Sequence, residues 1–289
     1  MESRSKPPID LHLHTTASDG TVSPAEIVSA ALRLGLGAIA ITDHDALSGS
    51  REALLGGIPP ELGFLTGVEI SAEPPVSYPG AGSIHILGYA IRLDDPELNI
   101  ALEKLQDARK DRNPEILRRL ERLGMPIGHD EVEREAAGGQ PGRPHIARLM
   151  VKKGFVASID EAFDRFLGNR RPAYVDKFRI ESDRAIALIN GAGGIPVLAH
   201  PALLELEDDE QLEDLLQEMI SMGLKGMEVY FSGHSEEQTR RYAALARRHR
   251  LLMTGGTDFH GDTQPEIKMG VGRGGLCVPY ELYERLIAR

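Results

Sequence analysis

The chain opens on Ile9-Asp10-Leu11-His12-Leu13-His14, followed shortly by Ser18-Asp19-Gly20. Side chains on a β-strand alternate between faces, so His12 and His14 point the same way. Two neighbouring imidazoles at the end of an apolar strand suit a divalent metal, which needs neutral nitrogens in fixed geometry. One His-x-His is weak evidence, because chance surface histidines share that spacing. Pieces of the pattern return further along: Thr42-Asp43-His44-Asp45, Glu69, His85, His200-Pro201 and Thr257-Asp258-Phe259-His260. The candidate ligands are therefore His12, His14, Asp19, His44, Glu69, His85, His200, Asp258 and His260. They include six of the ten histidines, more than random placement at strand ends would give. So many donors exceed one tetrahedral ion and suffice for two or three. Two ions about 3.5–4 Å apart share a bridging carboxylate and a bridging hydroxide that attacks phosphorus in line. Glu69, the single glutamate of the set, is the expected bridge. Nitrogen and carboxylate donors without thiolate suit manganese, iron, zinc or cobalt and do not choose among them.

The elements that position these residues read as an α/β alternation. Residues 21–35 predict a helix, opened by a capping box with proline at its first position (Ser23-Pro24-Ala25-Glu26) and closed by Gly35 and Gly37. Short apolar runs near residues 10, 40, 67, 86, 197, 229 and 253 predict strands, most of them followed by a helix. Parallel strands joined by helices place sites at the strand C-termini. Between about residues 95 and 174 the rhythm changes to helices alone, which predicts an all-helical insertion, with barrel segments 1–94 and 175–289 on either side. Pro114 is expected to split or kink the first long helix of that insertion.

Composition narrows the class. The chain has 289 residues, 41% hydrophobic and 27% charged, the profile of an ordinary globular protein. Nothing approaches the roughly 18–20 apolar residues of a membrane span. The polar, proline-bearing start and the single cysteine, Cys277, point to the cytoplasm, with Cys277 packed and unreactive. A net charge of −11 argues against a protein that coats long duplex nucleic acid, and leaves room for a small phosphorylated substrate held by local cations.

The ordered set of motifs resembles the PHP (polymerase and histidinol phosphatase) family of metal-dependent phosphoesterases over essentially the whole chain. The resemblance implies a distorted seven-stranded (β/α)7 TIM-like barrel with a trinuclear centre holding two or three divalent ions, manganese foremost. It assigns His12, His14, Glu69 and Asp258 to one ion, Glu69, His85 and His200 to a second, and Asp19, His44 and His260 to a third. Within the family, the helical insert and the stretches Gly142-Arg143-Pro144-His145, Pro172-Ala173-Tyr174-Val175-Asp176-Lys177 and Ser232-Gly233-His234-Ser235 resemble the branch of nucleoside 3′,5′-bisphosphate phosphatases and 5′→3′ exoribonucleases. That branch implies a mononucleotide or short oligonucleotide substrate and hydrolysis by a metal-bridging hydroxide.

Phosphate contacts are expected from Arg143, His145, Lys177 and His234, by bidentate fork, helix-start donor or point charge. Proton delivery to the leaving oxygen falls to His234, to metal-bound water or to Asp19 if it is unligated. Arg109, Arg112, Arg118, Arg119 and Arg122 alternate with acids and read as a solvated helix face. His129 and His249 read as surface residues. Competing classes are a histidinol-phosphate phosphatase of the same fold, an amidohydrolase-type C–N hydrolase, and a non-catalytic metal-binding regulatory domain.

Overall fold

The computed structural model describes residues 6–136, 141–176 and 178–288. The chain begins with β1 (Ile9–Leu13), α1 (Pro24–Leu34), β2 (Ala38–Ile41), α2 (Ser48–Gly56), β3 (Gly63–Glu73) and β4 (Ile84–Tyr89). Helices follow: α3 (Pro96–Arg122), α4 (His129–Glu135), α5 (Arg143–Lys152) and α6 (Ile159–Ala162), which runs into a π-helical turn at Phe163–Leu167. The alternation then resumes with β5 (Ile180–Glu181), α7 (Ser182–Gly191), β6 (Ile195–Leu198), α8 (Asp209–Ser221), β7 (Gly226–Phe231), α9 (Glu236–Arg248), β8 (Leu252–Gly256) and α10 (Tyr280–Ile287).

Seven strands form the path β1-β2-β3-β4-β6-β7-β8, with β5 beside β3. The two ends of the path meet at the catalytic-looking end of the barrel. There the Asp258 amide donates to the His12 carbonyl (2.9 Å) and the His14 amide to the Phe259 carbonyl (3.0 Å). The result is a nearly closed, distorted barrel. Gly256 makes this closure possible, since a Cβ there would lie 2.3 Å from the His12 nitrogen.

One strand departs from the expected parallel order. β4 pairs antiparallel with both β3 and β6, whereas β1–β2, β2–β3, β6–β7 and β7–β8 are parallel. Consequently His85 lies near the start of its strand and still reaches the barrel end where the other strands finish. The two-residue β5 was not anticipated, because so short a pairing leaves no period to read.

Local signals act as read at α1. The Ser23 hydroxyl accepts from the Glu26 amide (3.3 Å), the Glu26 carboxylate accepts from the Ser23 amide (3.0 Å), and Gly35 closes the helix at φ 69°. Ile27, Val28 and Ala31 bury the inner face. At α3 the expected split does not occur: the helix runs uninterrupted through Pro114 for 27 residues. Its two halves pack differently. Leu98, Leu102 and Leu105 join the core around β3, β4 and α7, while Ile116, Leu117 and Leu120 join a separate cluster with Val132, Ile146, Met150 and Leu167. Burial of each such side chain contributes roughly 1.5–3 kcal/mol, enough to carry the helix past the hydrogen bond that proline cannot make. Two surface readings also change. Cys277 is exposed, and His249 is half-buried with its Nε2 2.8 Å from Glu213. No helix among the described residues is long and apolar enough to cross a membrane.

Candidate metal centre

On β1, Ile9 and Leu11 join the core cluster of Ala38, Ala40, Leu65, Tyr89 and Val197, whereas Leu13 joins the cluster of Ile27 and Ala31 from α1, and a register irregularity between Asp10 and Leu13 interrupts the alternation. Between these apolar residues stand Asp10, His12 and His14. All three are fully buried. Asp10 accepts from the Thr257 amide (2.8 Å), the Thr257 hydroxyl (2.6 Å) and the Gly270 amide (2.8 Å), fastening the Thr257–His260 turn to β1. Burial raises the Asp10 pKa to about 6 against the pull of these bonds. Asp43 does the same for the Asp19 loop, accepting from the Thr15 amide (2.7 Å), the Thr15 hydroxyl (2.8 Å) and the Ser18 hydroxyl (2.7 Å). Its carboxyl is likewise pushed up by burial.

Glu69, fully buried in β3, stands at the centre. Its Oε1 lies 2.9 Å from His85 Nδ1 and 2.9 Å from His200 Nε2. Its Oε2 lies 2.9 Å from His44 Nδ1, 3.3 Å from His14 Nε2 and 3.5 Å from His12 Nε2. Asp258 Oδ1 adds contacts to His14 Nε2 (3.1 Å) and His12 Nε2 (3.4 Å). Asp19 faces His260 Nε2 at 3.3 Å and His44 Nε2 at 3.9 Å. Three ion-sized groups of donors result: His12, His14, Glu69 and Asp258; His44, Glu69 and His85; and His14, Asp19, His44 and His260. Two residues on this wall, His200 at φ 25° and Asp258 at φ 57°, sit in the left-handed region, a cost of about 1–3 kcal/mol each that surrounding contacts must offset.

The donors fit divalent cations on their own evidence. His12 Nε2, both nitrogens of His14, His44 Nδ1, His200 Nδ1 and Glu69 Oε2 are buried without a hydrogen-bond partner among the described residues. Buried polar atoms are rarely left so, unless an ion takes the place of the partner. The stacked His14 and His260 rings, 4.0 Å between centroids, would repel if both were charged. Electrostatics agrees. Burial works against charge on Glu69, Asp19 and Asp258, yet the facing imidazoles hold all three carboxyls well below their ordinary range. Burial also pulls His14 down, but Asp258 and Glu69 raise it to about 10. A cation in place of those protons would satisfy the same carboxylates.

Across from this cluster the helices supply the opposite wall of a cleft of about 550 Å³. Asp19, His44, His85 and His200 line one side, and Arg109, Arg112, Arg143 and Arg179 the other. Arg109 is pinned by Asp45 Oδ2, at 3.1 Å from its Nε and 2.7 Å from its Nη2. Arg143 lies over the rings of Phe163 and Tyr174, 5.6 and 5.5 Å from their centroids, and donates to the Leu167 carbonyl (2.9 Å). The Nε atoms of Arg112 and Arg179 are buried without a hydrogen-bond partner among the described residues. Burial, then the charges of Arg143 and Arg109, lower the Arg112 pKa to about 9. Arg179 is paired with Glu73 (2.9 Å) and Asp176 (3.0 Å), as Arg109 is with Asp45, so Arg112 is the buried cation of this group that most calls for an anion.

Known proteins carry the same architecture. The PHP domain pattern matches residues 10–126. A 5'-3' exoribonuclease of Haemophilus influenzae is 34% identical over 251 residues, 87% of this chain and 89% of that protein. A 3',5'-nucleoside bisphosphate phosphatase of Chromobacterium violaceum is 32% identical over 87% of each chain. The crystal structure of a Bifidobacterium adolescentis protein described as a metal-dependent phosphoesterase superposes with a TM-score of 0.85 at 30% identity, covering 98% of this chain and 96% of that one. This chain belongs to the PHP family.

The PHP protein is accordingly a metal-dependent phosphoester hydrolase of the α/β barrel type. Its barrel brings together all nine residues expected at the metals. The expected phosphate contacts divide. Arg143 lines the cleft. His145 is buried beside it, with Nδ1 accepting the Gly142 amide at 3.1 Å, and is not among the residues lining the cleft. His234 lies behind Phe231, whose ring is 5.5 Å from His200 and 5.1 Å from His234, and its Nδ1 donates to the Val229 carbonyl (2.9 Å). Lys177 lies outside the described residues.

Sequence reasoning misplaced Arg109 and Arg112, which are 7% and 6% exposed and face the cleft, not solvent. Their i, i+3 spacing set them on one face of α3, but only the docking of that face makes it interior. Glu228, fully buried, was also missed. Its signal was present: a lone charge inside the apolar run Gly226-Met227-Glu228-Val229 must have a partner. Asp10 was legible in the same way, as a lone acid within the apolar run Ile9-Asp10-Leu11.

Proposed function

We propose that this PHP enzyme removes the 3′-phosphate from nucleoside 3′,5′-bisphosphates. One observation carries the reading: the cleft sets a cation-binding wall and a four-arginine wall face to face, which suits a small substrate with an anionic group at each end. The bisphosphate phosphatase of Chromobacterium violaceum supports that choice of substrate.

The donor groups overlap, and imidazole chemistry resolves the overlap. A neutral imidazole has one free lone pair, so His14 and His44 can each serve one ion. His14 Nε2, close to both Glu69 and Asp258, goes with His12. His44 goes with Asp19 and His260. Glu69 Oε1 then stands with His85 and His200. Divalent ions held there supply Lewis-acid polarisation of a phosphoryl oxygen and acidify a water molecule at neutral pH. The chain's own residues do the rest. Glu69 joins the groups through its two oxygens, and Asp19 and His44 face the substrate from the barrel wall. Arg112, Arg143 and Arg179 fix the distal phosphate, and Arg109, already held by Asp45, keeps that wall in place.

The test is phosphate release from manganese-loaded protein with adenosine 3′,5′-bisphosphate, adenosine 3′-monophosphate and histidinol phosphate. The expected result is turnover of the bisphosphate well ahead of both monophosphates. Equal use of the two adenosine nucleotides would overturn the two-anion reading. The exoribonuclease of Haemophilus influenzae makes a short 5′-phosphorylated RNA the fourth substrate to try.

A further inference from the structure

We infer that Glu228 is a positioning residue that holds two parts of the metal centre in register, an inference that rests on reading His12 and His200 as metal ligands. Glu228 projects from β7 into the barrel and is fully buried. Its two oxygens have different tasks. Oε1 lies 3.0 Å from His12 Nδ1, and Oε2 accepts the backbone amide of His200 at 2.8 Å. Glu228 does not line the cleft, so it does not touch substrate.

Each contact has a consequence for ligand geometry. A carboxylate facing His12 Nδ1 keeps the proton on that nitrogen, which leaves the Nε2 lone pair free. That Nε2 is the atom turned toward Glu69 (3.5 Å) and Asp258 (3.4 Å), and it is buried without a hydrogen-bond partner among the described residues. At His200 the contact is with the backbone. His200 has φ 25° and ψ 63°, a conformation an L-residue does not hold unaided. The bond from its amide to Glu228 anchors this turn and sends the ring to within 2.9 Å of Glu69 Oε1. A single carboxylate thus fixes the tautomer of one ligand and the backbone of another, in two different donor groups.

Both groups facing Glu228 are donors, so only a two-oxygen side chain satisfies them together. Glutamine of the same shape offers one acceptor and one donor. Its NH2 must oppose either the His200 amide or His12 Nδ1–H, and in the second case His12 shifts its proton to Nε2 and loses its ligand atom.

The experiment is a chelator-competition titration of manganese into metal-stripped wild-type protein and Glu228→Gln. It is paired with long-range ¹H–¹⁵N spectra of the histidine rings in zinc-loaded protein. The expected result is binding weakened by roughly 10–100-fold in the variant, the range for loss of an outer partner of a metal-bound histidine. His12 should carry its proton on Nδ1 in the wild type. KM for the bisphosphate should hold while kcat falls. Wild-type affinity in the variant would overturn the inference, and so would a wild-type His12 protonated on Nε2, a readout that stands even if the variant does not fold. A wild-type protein that takes up no manganese or zinc would instead remove the metal reading on which the inference rests.

Discussion

The two walls of the cleft are built on different principles. The barrel wall takes its donors from β-strands and the turns that end them, and pins them with buried carboxylates, Asp10 and Asp43 among them. The helical wall takes Arg109 and Arg112 from α3, Arg143 from the start of α5 and Arg179 from the approach to β5. The first wall brings opposite charges together, so its imidazoles and carboxylates stabilise one another even before an ion arrives. The second gathers four arginines, pairs Arg109 with Asp45 and Arg179 with Glu73 and Asp176, and leaves Arg112 Nε and Arg179 Nε without hydrogen-bond partners among the described residues. One wall is satisfied by cations, the other by an anion. A substrate that bridges them answers both needs.

The sharpest way to break the comparison is at its centre. Glu69→Gln removes a charge shared by two of the three donor groups, and turnover of the bisphosphate should fall by more than about 100-fold, beyond the loss typical of a residue that only supports a ligand. Bound-metal analysis should fall with it. If metal content and turnover both persist, Glu69 is not the bridge.

Next comes the tie between the walls. Arg109→Ala takes the guanidinium away from buried Asp45, which keeps the Ser71 amide (2.9 Å), and the urea midpoint should shift by an amount equivalent to roughly 3–5 kcal/mol. A change under about 1 kcal/mol would mean that the Asp45 pair holds nothing together.

Arg112→Met sharpens the contrast between function and stability. Loss of a charged hydrogen bond to substrate, worth about 1.5–3 kcal/mol, should raise KM for the bisphosphate by tenfold or more. Thermal stability should stay level or rise, because a partly unpaired buried cation is removed. A drop in melting temperature with KM unchanged would reverse the roles of the two walls.

Protons distinguish the walls as well. In the metal-free protein His14 sits at about 10, raised by Asp258 and Glu69 against burial, compared with about 6.5 in an unfolded chain. Its stabilisation is therefore complete below about pH 6.5 and fades as pH climbs toward 10. Metal binding needs the same proton gone, so affinity should run the other way, about tenfold tighter per pH unit for each proton released. Manganese titrations and melts of the stripped protein at two pH values would show opposite slopes. Parallel slopes would mean that His14 is not a ligand. The smallest effect lies far from either wall: Ser23→Ala should cost about 1 kcal/mol through the α1 cap and leave kcat unchanged.

The period-2 spacing of His12 and His14, the capping box at Ser23 and the strand-by-strand return of metal donors could all be read directly along the chain. These are local properties: side-chain alternation and orphan amides at a helix start follow from backbone geometry within a few residues. Tertiary structure alone decided the rest. The reversed direction of β4 carries His85 to the right end of the barrel, because orientation depends on which strand edges remain to be paired. Packing carried α3 unbroken through Pro114, since buried side chains outweigh one lost hydrogen bond. Docking of α3 turned Arg109 and Arg112 from an apparent solvent face into a cleft wall, because burial is a property of what lies opposite and no residue carries it alone.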